Sequence, residues 1–273
     1  MTISSVALSA STRSALDSLT SIATQLQKSQ TALATSKKVN SAADGATAYF
    51  ASQGFLNRAN DLSNLKDNLS TAAQTTSSVN TSISDVTSTV TQLNGIITSA
   101  LSTTDTTSRA GYASQFNALL TQLDELVNDA TFNGTNLLNS TSTSLVVYFN
   151  EKSTTALTIT GVNITSAGLG IVAATNAFSD ATSINTAGSL LSTALSTLRT
   201  DASSFGGNAT LIQTRQDFTT NLISSLTTAS NNLINADTNQ EGANLQALQA
   251  QNQLAITALG ISGTVSSAIL KIL

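Results

Sequence analysis

Histidine, cysteine, tryptophan and proline are missing from this chain of 273 residues, and its single methionine stands at the first position. Without cysteine there can be no disulfides, thiolate nucleophiles or thiolate-ligated zinc and iron–sulfur centres. Without histidine there is no Ser-His-Asp or Cys-His triad, no imidazole metal ligand and no near-neutral general base of the usual kind. Average usage would place about 14 prolines in a chain of this length. Charge is scarce as well: charged residues make up 10% of the chain, against about 25% in an ordinary domain. The net charge of −4 leaves no basic footprint for nucleic acid. These absences remove most common enzyme designs, and no catalytic residue, cofactor site or metal site is expected.

What remains is a chain that is 40% hydrophobic, too apolar for simple disorder. Its polarity comes mainly from Ser, Thr, Asn and Gln. A surface polar by hydroxyl and amide can pack against copies of itself with little electrostatic repulsion. No run approaches the roughly 18 apolar residues of a membrane-spanning helix. The start, Met1-Thr2-Ile3-Ser4-Ser5-Val6-Ala7, lacks the positive n-region and continuous apolar h-region of a cleaved signal peptide. Neither membrane insertion nor a cleaved signal is expected.

The dominant pattern is a heptad repeat. Leu62, Leu69, Thr76, Ile83, Val90 and Ile97 are spaced by seven, and Leu65, Ala72, Val79, Val86, Leu93 and Ala100 keep step between them. Eleven of the twelve positions are apolar, the narrow stripe of a coiled-coil seam. A helix from 62 to 100 would be about 58 Å long. In the second half Ile184, Leu191, Leu198, Phe205, Ile212, Thr219, Leu226 and Leu233 repeat the period, and Gly206-Gly207 is expected to bend or loosen that helix. A shorter amphipathic helix is read from Tyr112, Leu119 and Leu126 alternating with Phe116, Leu123 and Ala130, ending near Asn133-Gly134.

Near the middle the period falls to two. Leu145, Val147 and Phe149 alternate with Val146 and Tyr148, and Leu157 and Ile159 with Thr158 and Thr160. With Asn150-Glu151-Lys152-Ser153 between them, these segments predict a β-hairpin at about 143–165. The Ser-, Thr- and Gly-rich stretch to about 180 reads as an irregular cap without a core of its own.

The two ends are amphipathic and poor in charge. Leu16, Leu19, Ile22, Leu26 and Leu33 line one, and Leu254, Leu259, Ile261, Val265, Ile269 and Ile272 the other. Folding about the middle brings them together, and an isolated helix pair is marginal in water, so they are expected to order against other copies. The expectation is a mainly α protein: a long antiparallel coiled-coil helical bundle with a small β-hairpin at the middle of the chain. Residues 1–40 and 237–273 would form an inner domain of paired terminal helices, and 41–236 an outer helical bundle.

Four stretches then resemble bacterial flagellin. Lys38-Val39-Asn40-Ser41-Ala42-Ala43-Asp44-Gly45-Ala46 resembles the family's Arg-Ile-Asn-Ser-Ala-x-Asp-Asp-Ala segment. Thr131-Phe132-Asn133-Gly134-Thr135-Asn136-Leu137-Leu138 is similar to its Gln-Phe-Asn-Gly-x-x-Leu-Leu turn. Gln213-Thr214-Arg215 is similar to Gln-Asn-Arg, and Asn235-Ala236-Asp237 with Glu241 to Asp-Ala-Asp-x-x-x-Glu. Their order and spacing extend the likeness over almost the whole chain. Independently, Ser41-x-x-Asp44 has the form of a capping box, and the resemblance makes Asn40, Ser41 and Asp44 the connector between inner and outer domains.

The resemblance implies a structural subunit that self-assembles into the extracellular flagellar filament and serves motility. It implies export through the flagellar channel without a cleaved signal peptide. The implied partners are further copies of the chain, the export apparatus and its chaperone, and the hook-associated and cap proteins. The compact middle resembles a minimal flagellin without large outer domains. One departure concerns the animal innate receptor for flagellin: the matching stretch here, Gln92-Leu93-Asn94-Gly95-Ile96, lacks both arginines and the glutamate of the recognised helix. Weak or no recognition is therefore expected, since charged anchors are lost.

Other readings are weaker. Asp124, Glu125 and Asp129, or Asp237 and Glu241, could hold a hard cation weakly, but solvated charges on a helix account for them. Four Asn-x-Thr matches, at Asn133, Asn139, Asn163 and Asn208, are what chance gives in such a composition. A flagellin-like junction protein between hook and filament would share these ends. A secreted adhesin or membrane-active helical protein would show basic helix faces, which this chain lacks.

Overall fold

The structure, a computed structural model, describes the backbone of residues 10–272 and the side chains of residues 10 and 12–265. Within this range the elements are helices α1 (Ala10–Thr35), α2 (Ala42–Leu101) and α3 (Thr106–Asp129), strands β1 (Ser144–Tyr148) and β2 (Ala156–Thr160), and helices α4 (Ala181–Ile234) and α5 (Thr238–Ile272). The chain divides into two compact units, 59–224 and the residues up to 58 together with those from 225 onward. Among the described residues no helix is long and apolar enough to cross a membrane.

In unit 59–224 the heptad seam of α2 is buried in full. All twelve positions from Leu62 to Ala100 are buried, including Thr76, whose hydroxyl donates to the Ala72 carbonyl at 2.8 Å. That bond lets a polar side chain occupy an apolar seam without an unpaired donor. On α4, Ile184, Leu191, Leu198, Phe205, Ile212 and Thr219 are buried in the same way. Each large apolar side chain so buried contributes roughly 1.5–3 kcal/mol. The two helices run antiparallel: Gly188 of α4 faces Ile97 of α2, and the Asn80 amide reaches Ala202 O and Gly206 N at 3.2 and 3.3 Å in the orientation that satisfies both.

Two expectations about the helices are corrected. Gly206-Gly207 does not interrupt α4, which is one helix from Ala181 to Ile234. Each glycine costs about 1 kcal/mol against alanine, but Phe205 and Ile212 on either side are buried and hold the segment helical. The stripe of α3 is also shifted. It consists of Arg109, Ala113, Phe116, Leu120, Leu123 and Val127, whereas Tyr112, Leu119 and Ala130 are half-buried and Leu126 exposed. The helix stops at Asp129, and Asn133-Gly134 forms a separate turn in which Phe132 and Thr135 exchange backbone hydrogen bonds, both at 2.9 Å.

The hairpin has antiparallel register Ser144↔Thr160 through Tyr148↔Ala156. Val147 and Ile159 are buried on one face while Val146 and Tyr148 are exposed on the other, as a period of two requires. Its turn is tied by Asn150 Oδ1, which accepts from Thr154 N at 2.9 Å. Arg215 of α4 lies over the Phe149 ring, 4.9 Å from its centroid, a cation–π contact of about 0.5–2 kcal/mol. The stretch up to 180 is irregular but anchored. Ile164, Leu169, Ile171 and Phe178 are buried, and Phe178 meets Phe116 edge-on at 5.5 Å.

Arg109 is buried although it is charged. Its Nε donates to Ala100 O at 3.3 Å and Thr103 O at 2.8 Å, and its Nη1 to Ser179 O at 3.3 Å. The guanidinium thus satisfies carbonyls left open where α2 ends, where a cation also complements the helix dipole.

Candidate functional site

The stretches 38–46 and 235–241 converge in the other unit, where the long helices give way to the terminal ones, while the 131–138 turn and the stretch 213–215 belong to unit 59–224. At Ser36 the chain turns left-handed, with φ of 56°, and α1 stops. The segment that follows pairs with the end of α4. Lys38 N and Val39 N both donate to Ile234 O, at 2.7 and 3.2 Å, and Ala236 N donates to Ser36 O at 3.0 Å. Lys37 and Asn235 form an antiparallel bridge. Lys38 Nζ donates to Asn232 O at 3.2 Å, placing a cation where α4 exposes its last carbonyls. Val39 is buried beneath this crossing.

The connector residues Asn40, Ser41 and Asp44 are brought together by one carboxylate oxygen. Asp44 Oδ2 accepts from Asn40 N at 3.0 Å, from Ser41 N at 2.9 Å and from the Ser41 hydroxyl at 3.0 Å. This is the backward half of a capping box: the N3 carboxylate reaches the N-cap amide, and the serine donates to the carboxylate instead of capping the amide of residue 44. Hydrogen bonds from Asn40 and Ser41 hold the Asp44 carboxyl below the ordinary carboxylate range, because they stabilise its charged form. Gly45 then takes extended backbone, φ 172° and ψ 87°, which separates the first turn of α2 from the rest. On the returning strand Asp237 starts α5, its Oδ1 accepting from Asn239 N at 2.9 Å and Gln240 N at 3.2 Å.

From this crossing α1 and α5 run side by side. Ser29 Oγ donates to Glu241 Oε2 at 2.7 Å near the crossing, and Thr12 Oγ1 lies 3.2 Å from Ser262 Oγ towards the far end, so the pair is antiparallel. The least exposed positions of α1 are Thr12, Ala15, Leu19, Ile22, Leu26, Ser29 and Ala32, and those of α5 are Glu241, Gly242, Leu245, Leu248, Asn252, Ala255, Leu259 and Ser262. Apart from Ala32 and Gly242, which lie next to the crossing, both follow alternating spacings of three and four, the signature of a two-helix seam.

The predicted assembly residues divide over this pair. Leu19, Ile22, Leu26 and Leu259 lie half-buried in the seam. Leu16, Leu33, Leu254, Ile261 and Val265 are exposed, Leu254 to 69% and Ile261 to 60%. The side chains of Ile269 and Ile272 lie outside the described residues. Leu254, Ile261 and Val265, spaced by seven and four, share one face of α5; Ile256 is exposed as well, on the far side of the helix. Sequence reasoning overlooked the polar part of the seam, Ser29 and Asn252, which carries no apolar signal. The Glu241 carboxylate accepts from Ser29 across the seam, and Asp237 caps α5. Elsewhere Asp124 accepts from Ser166 N and Ser166 Oγ, both at 2.7 Å.

The family model of the bacterial flagellin N-terminal helical region matches residues 3–143. Flagellin FljO of Caulobacter vibrioides is 31% identical over 277 residues, covering 100% of this chain and 99% of that protein. A flagellin of Brucella melitensis is 27% identical over 283 residues, covering 99% of each. The crystal structure of Bacillus cereus flagellin superimposes with a TM-score of 0.49 at 16% identity, covering 56% of this chain and 88% of that one.

Proposed function

The chain belongs to the bacterial flagellin family and is a structural subunit of the flagellar filament; from that premise we propose that its terminal helices α1 and α5 are the part that builds the filament core. The observation that carries this reading is the exposed apolar face formed by Leu254, Ile261 and Val265, with Leu16 and Leu33 exposed on α1. Apolar residues repeated along one helix face have no reason to face water in a helix pair that works alone. Further copies of the same chain would cover them, through a head-to-tail contact that does not close. The seam residues Leu19, Ile22, Leu26 and Leu259 hold the pair, and the outward residues join it to its neighbours.

In this reading residues 1–40 and 237–273 form the inner domain, 41–236 form the outer one, and Asn40, Ser41 and Asp44 fix the handover. The outer bundle folds on its own seam, and the terminal helices gain their full burial on assembly. The subunit works by shape and self-contact, not by chemistry; its carboxylates at 44, 105, 180 and 237 serve as helix caps. Its place is the extracellular filament, reached without a cleaved signal peptide. The export apparatus, an export chaperone, and hook-associated and cap proteins are its partners on the way.

The test is truncation. Removing about 20 residues from either end, enough to leave the remaining helix pair marginal, should leave a folded, soluble monomer by circular dichroism and abolish filaments in negative-stain electron microscopy after seeding. Filaments of normal length from either truncation would refute the reading. Replacing Leu254, Ile261 and Val265 together by Ser separates outward face from seam. Assembly should fail while the monomer melts as the unaltered chain does.

A further inference from the structure

We propose that Asn133 is a site of spontaneous deamidation, converted to aspartate and isoaspartate through attack by the backbone nitrogen of Gly134. The chain contains two Asn-Gly pairs, Asn94-Gly95 and Asn133-Gly134, and the fold places them in opposite situations. Asn94 and Gly95 lie inside α2, where the Gly95 amide is committed to the helix ladder. The carbonyls of both residues also accept side-chain hydroxyls, Thr98 Oγ1 and Ser99 Oγ, each at 3.0 Å. Asn133 and Gly134 are the two central residues of an exposed turn with φ of 50° and 79°, the positive values of a two-residue I′-type turn.

The turn is held from its flanks, by the reciprocal bonds between Phe132 and Thr135. Among the described residues neither the Gly134 amide nor the Asn133 side chain has a hydrogen-bond partner. Asn136, three residues on, differs: its Nδ2 donates to Val127 O at 2.8 Å and Asn128 O at 3.1 Å. Apart from its two chain neighbours, nothing lies within 4 Å of where a Gly134 side chain would begin. The nucleophile and the electrophile are thus adjacent, exposed and unencumbered, and glycine gives the backbone freedom to leave its resting geometry.

The chemistry needs only water. Gly134 N loses its proton to hydroxide and bonds to Asn133 Cγ; the C–N bond of the side-chain amide breaks, and the amine leaves as ammonia after taking a proton from water. The resulting five-membered imide is then opened by water at either carbonyl. One opening gives aspartate. The other reroutes the main chain through Cγ and gives isoaspartate. Both place a carboxylate in a turn that lines a cleft with Leu65, Asn68 and Tyr148. Isoaspartate also lengthens the backbone between Phe132 and Thr135, just before the fully buried Leu137 and Leu138.

The experiment is incubation of the full-length folded protein in mildly alkaline buffer, followed by digestion and mass spectrometry of the peptides containing 94 and 133. Isoaspartate is scored with an isoaspartyl methyltransferase and labelled S-adenosylmethionine. Asn133 should convert more than about tenfold faster than Asn94 in the folded chain, since the helical pair must first open locally. In concentrated urea the two should convert at comparable rates. Conversion of Asn94 as fast as Asn133 in the folded protein would overturn the proposal. So would an Asn133 that stays intact when folded yet converts in urea.

Discussion

Ser52 of α2 and Ser230 of α4 are both fully buried, and their hydroxyls form one hydrogen bond at 2.8 Å. Either oxygen can be the donor, so each hydroxyl is satisfied by the other. Ser52→Ala or Ser230→Ala alone strands the surviving hydroxyl in a dry seam, at a cost of about 1–3 kcal/mol. A serine in a helix has an escape, donation to the carbonyl four residues back, as many exposed Ser and Thr do here; that route holds each single loss to about 1 kcal/mol. The double replacement removes both polar groups together. It should be close to neutral, since alanine is the better helix former by up to about 0.5 kcal/mol per position. The two hydroxyls are thus coupled by about 2 kcal/mol. Native-state hydrogen exchange on peptides spanning 46–58 and 225–234 reads the local opening free energy directly, whatever the rest of the chain does. If the two single losses simply add up in the double variant, to within about 0.5 kcal/mol, the bond contributes nothing and the reasoning fails.

The helix-start carboxylates predict an acid response. Asp44, Asp105 and Asp180 all have lowered pKa values, each chiefly through hydrogen bonds from the turn it caps. Their stabilisation is therefore present above the unfolded carboxylate value of about 3.9 and is lost as pH falls through the lowered folded values. Asp105→Ala should lower the thermal midpoint at neutral pH, with the gap from the unaltered chain closing in strong acid; a pH-independent gap would refute the cap. Asp201 has the opposite sign, since burial raises its pKa. Its ionisation opposes folding as pH rises through the folded value. Asp201→Asn should accordingly raise the melting temperature at neutral pH and leave it unchanged in acid, and no gain at neutral pH would count against the burial argument. The stretch 92–96 offers the innate flagellin receptor no charge, and Leu93 is fully buried. Depolymerised protein should stay silent in a receptor-reporter assay at nanomolar concentration, and activation there would refute the expectation.

How far the sequence revealed the fold depended on whether one face of a helix stood out. The α2 seam was legible position by position because only one stripe carries Leu, Ile and Val at the required spacing. On α3 two stripes share Phe116 and Leu123. Tyr112 and Leu119 lie on one side of them, Ala113 and Leu120 on the other, and both sets are apolar. Periodicity alone cannot choose between them. Arg109 decides it, continuing the stripe of Ala113 and Leu120 to the end of α2, where its guanidinium binds carbonyls of Ala100, Thr103 and Ser179. Ser179 is 70 residues distant in sequence, and no local pattern announces such a contact. Gly206-Gly207 misled for a related reason. A glycine pair weakens a helix by its own propensity, yet Phe205 and Ile212 beside it are buried, and tertiary packing outweighs propensity.

The terminal helices present a different difficulty. The seam between α1 and α5 includes Thr12, Ser29, Asn252 and Ser262, while Leu254, Ile256, Ile261 and Val265 face outward. An apolar pattern read along these segments therefore finds the outward residues as readily as the seam. In a protein that works alone that would be an error of register. A self-assembling subunit must bury both faces, one within the chain and one between chains, and its sequence records them together with no mark to tell them apart. The apolar surplus on α5 is what remains when the intramolecular seam is subtracted. It is also where substitution should separate folding from assembly: polar replacements at Leu254, Ile261 and Val265 act on the polymer, and replacements at Leu19, Ile22 and Leu259 act on the pair itself.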